Sequence, residues 1–181
     1  MTRNRALPLA LGAALLLLLP HAALAKPVAR AEARIEGVGG SGVSGKAIFE
    51  EMPDGTVRIT VKARGLAPGG HGIHVHEGAH CGGEGAAHAG GHFDPDASKV
   101  HAGPQTAIGT HHAGDLGNIR ADARGRAKLV LTTKQLTVAA GPRSVAGRAI
   151  VLHANPDNLT NEPANGGSGP RVACGLIEAK K

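Results

Sequence analysis

After residue 25 the chain offers no window long and amphipathic enough for a helix: its apolar residues come in short Val, Ile, Leu and Ala runs, each cut off by glycine. Gly accounts for 28 of 181 residues, spaced at intervals between those runs, which is the punctuation of an all-β protein. Residues 29–37 and 45–52 read as strands, and Pro53-Asp54-Gly55 as a turn. Thr56 to Lys62 alternates strictly, so Val57, Ile59 and Val61 face the core. A further strand carries Ile73 and Val75. Residues 116–123 and 126–132 form a hairpin about Arg124-Gly125, and 148–153 and 171–179 complete the set. About eight strands with two long connections, 78–112 and 154–170, predict a Greek-key barrel or sandwich. A connection as long as the first exceeds what a compact domain usually needs, which marks it as functional or disordered.

The first 25 residues read as a leader. Arg3 and Arg5 precede an apolar stretch from Leu7 to Leu19, and Ala23-Leu24-Ala25 has the small-x-small pattern of a signal cleavage site. An uncleaved anchor is the alternative, though the apolar run is short for a span. Residues 26–181 are then one exported domain, periplasmic or secreted, with a formal charge of +4 once Arg3 and Arg5 are taken from the +6 of the whole. With two Phe and no Trp or Tyr, the chain lacks the stacking platform of a single-strand nucleic-acid binder, so we expect no nucleic-acid partner. The same scarcity argues weakly for a monomer, because interfaces favour aromatic residues. Cys81 and Cys174 suit one disulfide in an oxidising compartment, closing a loop of about ninety residues worth up to about 4 to 5 kcal/mol, or two separate buried thiols.

Histidine is where chemistry enters. His74-Val75-His76 lies in an alternating segment, so both rings share one strand face and can grip one ion. In a chain with eleven histidines such a pair also arises as surface or core histidine. His92 follows in Gly91-His92-Phe93-Asp94-Pro95, then His101, His112-Ala113-Gly114-Asp115 and His153. The His112 and Asp115 pair, with His101, offers the imidazole and carboxylate mixture that zinc accepts. His74, His76 and His153 offer imidazole alone, at which Cu²⁺ outcompetes other divalent ions.

The ordered motifs H-V-H, H-F-D-P, H, H-A-G-D-L-G-N, H and G-P-R-V-A-C-G resemble copper,zinc superoxide dismutase over nearly all of residues 26–181. The leader and the short second loop are similar to the bacterial periplasmic branch. The resemblance implies dismutation of superoxide to dioxygen and hydrogen peroxide, with one copper and one zinc per chain. It makes His74, His76, His92 and His153 the copper ligands, and His92, His101, His112 and Asp115 the zinc ligands, with His92 bridging as an imidazolate. Asp157 becomes the carboxylate holding a histidine of each set, Arg171 the arginine that attracts the anion, and Cys81 and Cys174 the disulfide. His101 stands nine residues after His92, with Val100 an extra residue relative to members with a shorter gap. The second loop has no Lys, so it lacks the charged guidance loop of eukaryotic members. His71, His80 and His88 match no ligand position and are expected to be solvated loop residues, and His111 could compete with His112. The alternative in another class is a non-enzymatic copper or zinc buffer on the same fold.

Overall fold

The computed structural model describes residues 25–181; the leader expected over 1–25 lies, apart from Ala25, outside them. Eight antiparallel strands are present: β1 (Ala29–Gly37), β2 (Ser44–Glu51), β3 (Val57–Arg64), β4 (Gly69–His76), β5 (Asp115–Ala121), β6 (Ala127–Thr133), β7 (Ala149–His153) and β8 (Arg171–Lys180). They close into one barrel in the order β1-β2-β3-β6-β5-β4-β7-β8, with β8 pairing back to β1. The connections from β3 to β4 and from β6 to β7 each pass over two strands, which makes β3 a neighbour of β6 and β4 a neighbour of β7, as a Greek key requires.

The period-two pattern selects the barrel interior. Phe49, Val57, Ile59 and Val61 are fully buried, alternating with exposed Arg58 and Lys62. Truncating Phe49 to Ala would cost about 3–5 kcal/mol in cavity and lost transfer energy. The β5–β6 turn begins two residues earlier than its hydrophobic pattern suggests, because the Asp122 carboxylate accepts the backbone N–H groups of Arg124 and Arg126. Leu136, Val138 and Val145, in the β6–β7 connection, complete the core, held by Glu51, whose carboxylate accepts the N–H groups of Val138 and Ala139.

β4 differs from its neighbours. Ile73 and Val75 point into the barrel, while His74 and His76 on the opposite face are equally buried, under the two long connections. The first connection folds a short 3₁₀ segment, Glu84–Ala89, and is joined to β8 by the Cys81–Cys174 disulfide. Among the described residues no helix is long and apolar enough to cross a membrane.

Candidate metal centre

Backbone bonds bring distant histidine segments onto β4. The Phe93 N–H donates to Val75 O, the Val75 N–H to Gly114 O, and the Gly114 N–H to Phe93 O, each at 2.9 Å. A side chain on residue 114 would overlap Val75 O, so this close approach needs glycine. His92 is thereby bridged to His76, while His112 and Asp115 flank Gly114. His153 ends β7, directly opposite Arg171 at the start of β8.

Two sets of donor atoms result. Ligand atoms of His74, His76, His92 and His153 lie within 4.8 Å of one another. The outer nitrogen of each of three rings is committed: His76 Nδ1–H donates to Gly90 O at 3.0 Å, His153 Nδ1–H to Gly169 O at 3.0 Å, and His74 Nε2 meets Asp157 Oδ2 at 2.8 Å. These bonds leave His76 Nε2, His153 Nε2 and His74 Nδ1 buried with no hydrogen-bond partner. A buried polar atom without a partner costs about 1–3 kcal/mol, which argues against a merely structural cluster of core histidines and for a shared metal ion. Burial lowers His74 to about 3, His76 to about 2 and His153 to about 4, so all three are neutral near pH 7, as ligation needs.

The second set gathers on Asp115. His92 Nδ1 stands 2.8 Å from Oδ1, while His101 Nδ1 and His112 Nδ1 stand 3.0 and 3.4 Å from Oδ2. His101 Nδ1 and His112 Nδ1 have no hydrogen-bond geometry, so proximity without alignment again suits a third partner between them. Proximity alone groups His74, His92, His101 and Asp115. His74 Nε2 is already met by Asp157, and His112, whose Nδ1 stands 3.4 Å from Asp115 Oδ2, borders the same group. Burial raises the Asp115 carboxyl, but the nearby His101 and His112 rings and the hydrogen bond from His92 overcome this and hold it below the usual carboxylate range. Burial opposes charge on His101, yet Asp115 and Asp157 raise it to about 9.

Asp157 links the sets. Its Oδ2 meets His74 Nε2 and its Oδ1 meets His101 Nε2 at 2.9 Å. Asn118 clamps its backbone from both sides, accepting the Asp157 N–H at 2.7 Å and donating to its carbonyl at 2.8 Å. Gly166, at φ +66°, covers the same carboxylate; a Cβ there would overlap both Asp157 Oδ1 and His101 Nε2. Neither Asn118 nor Gly166 stood out from the sequence by residue type, although Asn118 closes the H-A-G-D-L-G-N motif.

His76, His92, His112, His153 and Arg171 line one cavity of about 510 Å³. Arg171 donates to Ala86 O and Gly90 O, both at 2.5 Å, which fixes its guanidinium at the wall. Lys99, from the first connection, supplies a second cation to this cavity, opposite in sign to Asp94. The Lys99 N–H is held by Asp94 Oδ2 at 2.8 Å. The extra Val100 is accommodated on the surface, where its carbonyl accepts the His112 N–H at 2.9 Å.

The expectation for His71 requires correction. Rather than a solvated loop residue, it is a buried member of β4, because that strand begins at Gly69, and its ring nitrogens sit 2.8 Å from the carbonyl oxygens of Ala67 and His153. His80 and His88 are exposed. His111 is fully buried beside His112 but belongs to neither donor set.

Four imidazoles suit copper, and imidazoles with one carboxylate suit zinc, so the two donor groups are compatible with a copper site and a zinc site beside a small cationic cavity. A family model for copper/zinc superoxide dismutase matches residues 43–177. The chain is also 40% identical, over 145 residues, to a Cu-Zn superoxide dismutase of Deinococcus radiodurans, covering 76% of this chain and 78% of that one. The chain belongs to the copper/zinc superoxide dismutase family. It is an oxidoreductase that dismutates superoxide with one copper and one zinc, rather than a metal buffer alone.

Proposed function

We propose the following division of labour. His74 Nδ1, His76 Nε2, His92 and His153 Nε2 hold copper, and His92, His101, His112 and Asp115 hold zinc. The observation that carries it is the position of His92: its Nδ1 faces Asp115, its ring stacks 4.0 Å from that of His74, and it is common to both donor groups. Bound copper supplies the one-electron exchange by which one superoxide becomes dioxygen and another, with two protons, becomes hydrogen peroxide.

The chain's own residues do the rest. Arg171, of whose five N–H donors two are committed to Ala86 and Gly90, presents the remainder of its guanidinium to an anion in the cavity. Lys99 adds to the attraction at the mouth. His92 Nε2, the nitrogen not facing Asp115, would take up a proton when it is not bound to copper and give it to the substrate as that is reduced. Asp157 fixes the tautomers of His74 and His101 so that each keeps one lone pair for metal. The leader pattern supports export, with cleavage after Ala25 and residence in the periplasm or outside the cell, in the manner of the bacterial periplasmic branch.

Metal analysis of purified protein, read beside a superoxide assay for alanine variants, tests the assignment. His76→Ala should lose copper while keeping zinc, and His112→Ala should do the reverse. Loss of both metals from each would overturn the division.

A further inference from the structure

The half of the barrel away from the metal residues carries a pattern that dismutation does not use. Arg34 of β1, Lys46 of β2, Lys62 of β3 and Lys128 of β6 are successive cross-strand partners, and all four are exposed. Neighbouring strands lie about 4.8 Å apart, so the row runs about 14 Å straight across the sheet. Ala121 of β5 pairs with Ala127, and exposed Arg120 is the next residue along that line beyond Lys128.

Such a row is a cost to the fold. Like charges directly opposite one another destabilise a sheet. Carboxylates offset only part of it: Glu36 takes Arg34 and Glu32 takes Lys46, each at 2.9 Å. Lys62 and Lys128 form no ion pair among the described residues. The row lies in a hollow of about 990 Å³, to which Arg64 and Arg126 bring two more cations; its carboxylates are Glu36 and Asp122, and Asp122 is paired with Arg126 at 3.0 Å.

We infer that this hollow binds a linear anionic polysaccharide, whose carboxylate or sulfate groups are met in turn by the row Arg34, Lys46, Lys62 and Lys128. The cations form a single line of cross-strand partners, which matches charges repeated along one chain better than charges spread over a bilayer surface. Nucleic acid is disfavoured because Phe49 and Phe93 are buried and the chain has no Trp or Tyr, so no aromatic face meets a base. The occupied half, β1-β2-β3-β6, is opposite the half that carries His74, His76 and His153, so a tethered molecule keeps its metal cavity open.

The test uses the metal-loaded protein and heparin oligosaccharide, titrated calorimetrically at several salt concentrations. Lys62→Gln with Lys128→Gln should weaken binding by about tenfold or more and flatten its salt dependence, whereas Lys134→Gln with Lys181→Gln, an equal change in net charge elsewhere, should stay within about threefold of the parent. Equal weakening by both pairs would reduce the effect to net charge and overturn the site, as would no binding by the parent. Binding to phosphatidylglycerol vesicles that the row variant loses, with heparin binding retained, would make the face a lipid contact and overturn the polysaccharide.

Discussion

Arg171 and His76 share one acceptor: the Gly90 carbonyl receives the Arg171 guanidinium at 2.5 Å and His76 Nδ1–H at 3.0 Å. A single peptide unit thus orients both the cation at the cavity wall and a donor to the four-histidine set. That peptide belongs to the connection joined to β8 through Cys81 and Cys174.

Opening the disulfide should therefore reach the metal chemistry as well as the fold. Cys81→Ser is expected to lower stability by about 2–5 kcal/mol and to reduce dismutation further than loss of Arg171 alone, since His76 loses its orienting acceptor. Thermal unfolding and copper content measured on the same sample check this. Full activity with a lowered melting point would show the disulfide to be structural only.

Asp157→Asn should weaken both metals, because the one carboxylate orients His74 and His101. Loss of such an outer partner typically costs about 10–100-fold in metal affinity. Competition with a chromophoric chelator reads the two metals separately, and unchanged affinity for either would remove Asp157 from that half of the centre.

Arg171→Ala should lower kcat/KM about tenfold or more and make it less sensitive to salt, with metal content preserved. Lys99→Gln should act in the same direction and more weakly, since Lys99 is exposed at the mouth. Rates measured against ionic strength distinguish the two; copper loss in Arg171→Ala would mean that the arginine holds the site together instead.

Metal-free protein should weaken as pH falls from about 6.5 to about 4. Folded His74, His76 and His153 are held below their ordinary 6.5 by burial, so the unfolded chain takes up protons that the folded one cannot. Asp115 and Asp157, held low by histidine hydrogen bonds, add the same trend at more acid pH. His101 runs the other way: raised to about 9, its contribution is complete below 6.5 and lost as pH rises through 9. Urea midpoints across this range give the profile, and a flat acid limb would contradict it.

Gly166→Ala should damage the same network without replacing a ligand, because the added methyl overlaps Asp157 Oδ1 and His101 Nε2 and the backbone is left-handed there. We expect impaired zinc retention, measurable by metal analysis after dialysis.

How much of this was legible beforehand depends on range. The alternation around Val57, Ile59 and Val61 is local, and it led directly to strands and core. His74 and His76 were readable as one face for the same reason. The ordered motif set brought in His92, His101, His112, Asp115 and His153, which do converge. What stayed hidden depends on contacts made across loops. Lys99 is an ordinary loop lysine until the chain folds it into the cavity mouth, and Gly166 is one glycine among 28 until it meets Asp157. His71 matches no ligand position and so reads as a loop residue, although it shares the parity of Ile73 and Val75.

β4 is a wall between two interiors, apolar on one side and imidazole-lined on the other. A slip of one residue in its pairing would send His74 and His76 into the hydrocarbon core and Ile73 and Val75 among the donor atoms. Retention of both ions therefore depends on the register of β4 as much as on the histidines themselves.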